Sequence, residues 1–302
     1  MKNTTVGFLS LLGCAIIFGV FAIFIRLLSA ELDPYQQIAA RNTIGFVVAI
    51  IIVTVLKSSW SFNQVERKHV LLYALSYPLV IIFYTLAVTH TKIGVAIFAT
   101  YTGSLPTAIL IGILVFHESM TRTKAMALGL VFLGLVFFVY PSYSTNALNI
   151  GFFMGLLSGV VEAISNFYRK FLAGKIDRFM LVAIQLLGGL VIAGILMAFS
   201  GSSFTPSVSL STVFVAFGFG VLIMLISFLL LIGFQNFDLG VGTLVISSEI
   251  FFGTLFAFLV FHEVPDTYEF IGGLLIVLAV IVLNYADISA YFKRSVAARA
   301  AG

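Results

Sequence analysis

Two glutamates stand deep inside long apolar runs of this chain, and the search for chemistry starts with them. Glu162 has Ser158 four residues before it, Asn166 four after and Arg169 seven after. That spacing sets all four on one stripe of a helix. Within a bilayer an ionisable side chain costs on the order of 3 kcal/mol or more, so it faces a cavity or a partner. The stripe is therefore expected to be wet, with Glu162 lining a substrate path. The structural alternative is that Glu162 pairs with an arginine and fixes helix packing.

Glu249 follows Ser247 and Ser248 with apolar sequence on both sides and few evident partners. A buried carboxyl without a neighbouring cation is suited to gaining and losing a proton during a cycle, so Glu249 and Glu162 are the candidates for proton coupling. The plainer reading of Glu249 is a carboxyl hydrogen-bonded to a neighbouring helix. Tyr101 is a candidate ligand contact, because its ring can stack on a solute while its hydroxyl bonds it. Tyr84 and Tyr77 are candidates for the same role, against the commoner fate of an interfacial anchor. Arg26 and Arg41 stay charged and are candidates to clamp a substrate carboxylate. Both fall within about two turns of a run's end, where snorkelling to headgroups or pairing with Glu31 and Asp33 competes with that role.

The elements that position these residues follow from composition. The chain is 61% apolar and only 9% charged, against roughly 25% charged in soluble domains. Apolar runs near 20 residues, the length that crosses about 30 Å of hydrocarbon, recur throughout. Ten spans are expected: 6–29, 37–56, 70–90, 93–116, 124–140, 150–169, 178–199, 212–234, 239–261 and 267–286. Backbone groups have no water partner in lipid, and the alternation of a membrane barrel is absent, so the fold class is all-α. The first run is too long for a secretory h-region and lacks a small-residue cleavage site, so it is expected to stay attached. Cys14 is the sole cysteine and excludes an internal disulfide.

Lysine and arginine near span ends favour the cytoplasmic side. With both termini inside, thirteen cations fall there, from Lys2 and Lys57 through Arg169, Lys170 and Arg178 to Arg299, against Lys92, Arg26 and Arg41 outside. Connections are short. Pro141, Ser142, Ser144 and Asn146 mark a turn near the middle, and the stretch from Lys293 to Arg299 reads as an anchor at anionic headgroups.

The second half repeats the first. Ile93-Gly94-Val95 matches Leu239-Gly240-Val241 at an offset of 146, and Phe116-His117-Glu118 matches Phe261-His262-Glu263 at 145. An odd number of spans per copy turns the copies upside down relative to each other, the arrangement secondary transporters use to expose one central site alternately. The expected units are 1–145, 146–288 and a basic cytoplasmic tail over 289–302. In span four, Thr100-Tyr101-Thr102-Gly103-Ser104 falls opposite Ile246 to Ile250, and the small residues with Pro106 beyond them allow close backbone approach or a kink there, whose freed carbonyl is available to a ligand. Ser104 and Ser248 join the candidate contacts, with close helix packing as the alternative. Glu118, Glu263, His117 and His262 sit at span ends and are expected to be solvated or to cap helices.

These residues, in order, resemble the EamA-type transporters of the drug/metabolite transporter superfamily over nearly the whole chain. The resemblance is carried by Gly19, Phe21, Arg26, Pro34, Arg41, Gly94, Pro106, His117-Glu118 and Gly129, and by Gly240, His262-Glu263 and Gly272-Gly273, with Gln185 standing where Arg41 would align. It implies two five-helix repeats, a central cavity lined from both halves, and movement of small metabolites, often outward.

Other classes lack their signatures. No second histidine follows either His-Glu pair at metal-binding spacing, and no phosphate-binding glycine loop with lysine is present, so an enzyme or an ATP-driven pump is not expected. The reading is a plasma-membrane carrier that exports amino acids or related amines by alternating access, with no cofactor or metal. Two carboxylates, aromatic rings and hydroxyls suit an ammonium group. A nucleotide-sugar or other anionic metabolite carrier, or a channel-like protein, is the alternative. The expected partners are a small-molecule substrate and the lipid bilayer, with no nucleic acid, and a homodimer stays open.

Overall fold

Because every backbone N–H and C=O must be satisfied in a medium without water, the apolar runs close their hydrogen bonds internally as helices. A computed structural model of the chain describes residues 4–58, 67–139, 150–203, 208–264, 267–268, 270–279 and 281–282. The central turn expected at Pro141 to Asn146, the boundary at 145/146 and the basic tail from Lys293 lie outside the described residues.

The helices are α1 (Thr4–Leu28), α2 (Pro34–Val55), α3 (Arg67–His90), α4 (Ile93–Phe116), α5 (Arg122–Val139), α6 (Ile150–Leu172), α7 (Arg178–Ser200), α8 (Leu210–Asn236), α9 (Leu239–Ile246), α10 (Glu249–Phe261) and α11 (Phe270–Ala279). No strand occurs among the described residues. Among the described residues, eight helices are long and apolar enough to cross a membrane, counting Leu239–Phe261 as one. Of the ten spans expected from sequence, eight are met among the described residues; α5 and the short α11 are not among them, and the expected span 267–286 is described only in part.

Starts are set by side chains that satisfy the orphan amides of the first turn. Asp33 accepts from Tyr35 N and Gln36 N while Gln36 returns a bond to the Asp33 backbone, with Pro34 in the first turn; Asp177 caps α7 through Phe179 N and Met180 N. The cores of the packing are α3 on α6 and α8 on α1, joined by α2 against α7 and α8, α4 on α6, and α10 on α1. Glycine makes the α4–α6 contact: a Cβ at Gly159 would lie 1.8 Å from the Thr100 carbonyl oxygen, and one at Gly103 would lie 2.3 Å from that of Leu156. Backbones approach this closely only where the side chain is missing.

One span is broken. Between α9 and α10 the ladder tightens, with Ser248 N bonding Val245 O and Phe251 N bonding Ser248 O, while the hydroxyls of Ser247 and Ser248 donate to Leu244 O and Val245 O. Hydroxyls competing for the i−3 carbonyls are a known cause of helix interruption. The break falls here rather than at Pro106: α4 runs unbroken through that proline.

Candidate functional site

The break delivers Glu249 to the first turn of α10, 5% exposed, with α3 and α4 in front of it. Tyr101 donates its hydroxyl to Glu249 Oε2 at 2.6 Å and approaches Ile246 O at 3.1 Å, the carbonyl just before the break; Tyr84 donates to Glu249 Oε1 at 3.1 Å. Glu249, for which sequence offered few evident partners, is held by two tyrosines of neighbouring helices, the contact its plainer reading named. Tyr84 is no interfacial anchor. The freed-carbonyl role that sequence allowed in span four belongs to Ile246 in its repeat partner.

Glu162 reaches the same cavity from α6. Its stripe is buried throughout: Ser158, Glu162, Asn166 and Arg169 all face protein, and Ser158 donates to Val80 O of α3 at 3.0 Å. Glu162 forms no ion pair within the described residues, and its Oε2 lacks a hydrogen-bond partner although buried. Ser104 lies beside Glu162; Ser248 instead turns its hydroxyl back to its own helix.

Two cations line the cavity with these carboxylates. Arg41 projects from α2 about 10 Å from that helix's start. It donates to Thr85 Oγ1 at 2.7 Å and lies 4.7 Å over the Phe219 ring, 2% exposed. It neither snorkels nor pairs with Glu31 or Asp33, which are engaged by Ser209 and by the α2 N-terminus. Arg169, counted from sequence as a cytoplasmic-side charge, is 3% exposed. It donates to Asn166 Oδ1 and to Gln185 Oε1, and lies 6.0 Å over the Tyr77 ring. Tyr73 donates to the same Gln185 oxygen and Gln185 to Ser227. This network escaped the sequence reading; its one signal was Gln185 at the position aligned with Arg41, an amide that accepts from an arginine instead of being one.

Arg26 lies elsewhere. It pairs with Glu263, donates to Thr91 O at 3.0 Å, and does not line the cavity. Of the two arginines considered as a substrate clamp, Arg26 lies outside the cavity and Arg41 lines it.

Glu162, Glu249, Arg41, Arg169, Tyr84 and Tyr77 thus converge on one cavity, walled on its apolar side by Phe18, Phe21 and Ile223. Water-molecule centres have about 60 Å³ there, several times the ~10–15 Å³ that one water needs. The cavity holds a few waters or a very small solute as it stands, and a larger one requires the helices to part. Besides Glu162 Oε2, the Nε atoms of Arg41 and Arg169 lack hydrogen-bond partners among the described residues. Buried polar atoms left in that state cost about 1–3 kcal/mol each unless water or a ligand meets them.

Comparison with known proteins agrees with this architecture. The sequence profile of the EamA-like transporter family matches residues 5–140 and again 149–285. A crystal structure, described only as that of a protein, superposes with a TM-score of 0.72 at 16% identity, covering 94% of this chain and 97% of that one, a likeness of fold alone. None of the curated proteins compared with the chain matches it.

Proposed function

The chain belongs to the EamA-like transporter family, and from that premise we propose that it is a secondary carrier of ten spans in two inverted five-helix repeats, which exports zwitterionic amino acids by alternating access. The observation that carries this reading is the pairing of charges in one cavity. Glu162 and Glu249 present negative charge for an ammonium group, and Arg41 and Arg169 present fork-shaped donors for a carboxylate. An amine without a carboxylate would leave both guanidinium groups unmatched. The apolar wall of Phe18, Phe21 and Ile223 is available to the remainder of the solute. The two termini are assigned to the cytoplasm of a plasma membrane, an orientation supported by the lysines and arginines at span ends even with Arg169 removed from the count. The substrate and the bilayer are the partners proposed, without a cofactor or nucleic acid; a homodimer is compatible.

Thermal unfolding of the purified protein against a ligand panel tests the substrate class. A ligand at a hundred times its dissociation constant adds about 2.7 kcal/mol. Stabilisation by amino acids that exceeds that by matched amines and matched carboxylic acids is expected. The presence of two cavity arginines favours one second reading, an anionic metabolite such as a nucleotide sugar, and a shift confined to phosphorylated sugars would select it. Proton coupling is assigned to Glu249 and Glu162. Replacing either by Gln is expected to abolish flux driven by a pH gradient while substrate exchange persists; unchanged pH-driven flux in both variants would remove the coupling.

A further inference from the structure

The Phe-His-Glu motif that ends α4 also ends α10, and the two copies do the same thing at opposite ends of the molecule. His117 at φ 52° and His262 at φ 54° each close their helix in the left-handed region. That turn sends the following glutamate back across the helix end toward the other half of the chain. Glu263 pairs with Arg26 of α1, and the same guanidinium lies 5.7 Å over Phe261. Glu118 accepts from Lys170 of α6 at 2.5 Å, and that ammonium lies 4.7 Å over Phe116. Each cluster joins a cation at the end of one half's first helix to the phenylalanine and glutamate at the end of the other half's fourth span.

The second member of each cluster is the start of a span. Arg26 also donates to Thr91 O, two residues before α4 begins; Glu118 also accepts from Leu239 N at 2.5 Å and Gly240 N at 3.3 Å, the first amides of α9. Thr91 and Glu118 flank the 24 residues of α4, so the clusters lie ~36 Å apart, at opposite ends of the spans. The cavity lies between them. The copies are not equal: the side chains of Arg26 and Glu263 are each 26% exposed, those of Lys170 and Glu118 are 12% and 10%, and Lys124 adds a bond to Asp238 at 2.6 Å on the latter face.

We propose that Arg26–Glu263 and Lys170–Glu118 are the two access latches of the carrier, each closing one face of the membrane, and that this conformation, with both engaged, is the occluded one. The proposal rests on the inverted-repeat carrier reading. Breaking one cross-half pair releases α1 from α10, or α6 from α4 and α9, at one end only, which opens the cavity to one side. The more buried Lys170 cluster, with its added Lys124–Asp238 tie, resists more, so its release gives the larger gain.

Sided labelling tests this without any substrate. In a Cys14→Ser background, Ile81→Cys puts a thiol on the cavity wall, and a membrane-impermeant maleimide reads its exposure in right-side-out and inside-out vesicles. Glu263→Gln is expected to raise labelling about fivefold from the Arg26 face alone, the scale of a partly exposed pair worth ~1 kcal/mol. Glu118→Gln combined with Lys124→Gln is expected to raise it more, and from the opposite face alone. The swap Arg26→Glu with Glu263→Arg is expected to return labelling to the parent's. If Glu263→Gln is not recovered folded, Arg26→Gln breaks the same pair and reads the same side. Gains on the same face from both disruptions, or on neither, would overturn the latches. Rapid labelling of the parent from both faces at once would instead overturn the alternating-access reading beneath them, and a failure of amino acids to bind would touch only the substrate.

Discussion

Tyr101 of α4 gives its hydroxyl to Glu249 at 2.6 Å across the broken span and approaches the carbonyl of Ile246 on the other side of the break. One phenol therefore ties both the acid and the backbone discontinuity to α4. Tyr101→Phe removes both contacts while keeping the ring, and a hydrogen bond to a charged partner is worth about 1.5–3 kcal/mol. We expect about a tenfold or greater loss of pH-driven flux with folding retained, whereas Tyr84→Phe, which gives up one longer bond of 3.1 Å, should lose less. Reconstituted flux assays on the two variants check the order, and the reverse order would separate Tyr101 from the coupling machinery.

Arg41 bonds Thr85 and stacks on Phe219 with its Nε unpartnered among the described residues. A lysine keeps the charge but not the planar fork. Arg41→Lys is expected to reduce the thermal stabilisation by amino acids while leaving that by simple amines unchanged. Equal loss for both ligand types would show that Arg41 serves the fold of the cavity and not the substrate carboxylate.

Glu31 lies outside the spans, between α1 and α2, and ties that turn to the start of α8. The Ser209 hydroxyl donates to it at 2.6 Å and the Ser209 backbone N–H at 2.8 Å, and these bonds, the side-chain one foremost, hold its carboxyl below the usual 4.5. A carboxyl depressed in the folded state stabilises it above the unfolded value, and that contribution is lost as pH falls from about 4.5 through the lower folded value. Glu31→Gln should therefore flatten the acid limb of a melting-temperature profile and leave the slope above pH 6 unaltered. A parent-like acid limb in the variant would mean that the tie adds no pH-dependent stability.

Gly159 and Gly129 make a matched pair of tests. A methyl at Gly159 meets the Thr100 carbonyl, while one at Gly129 meets nothing within 4 Å among the described residues. Gly159→Ala is expected to destabilise by at least the 1–3 kcal/mol of overpacking, seen as a lower unfolding temperature in detergent. Gly129→Ala should be neutral or stabilising by up to ~1 kcal/mol, since alanine is the better helix former. Comparable unfolding temperatures for both would contradict the α4–α6 contact.

What the sequence determined by itself was whatever depends on a residue's near neighbours and its solvent. Apolar run length fixed the helices, because a lipid-facing backbone has no other way to bond. Helical spacing put Ser158, Glu162, Asn166 and Arg169 on one stripe, and the repeat pointed to matching Phe-His-Glu ends; that the stripe is buried was settled by the packing. The partners were decided only by tertiary structure. Tyr101 and Glu249 are 148 residues apart, and Arg26 and Glu263 are 237, so no local pattern links them. For the same reason Arg169 read as one more headgroup cation: a guanidinium near a span's end looks alike in sequence whether it snorkels outward or turns inward, and here the packing of α6 against α3, with Gln185 and Asn166 as acceptors, turned it in. The break in span nine was likewise open, since serines tolerate both a straight helix and an interrupted one; in the folded chain the interruption at Ser247–Ser248 leaves Ile246 O free for the Tyr101 hydroxyl, a partner that arrives only with the folded helix bundle.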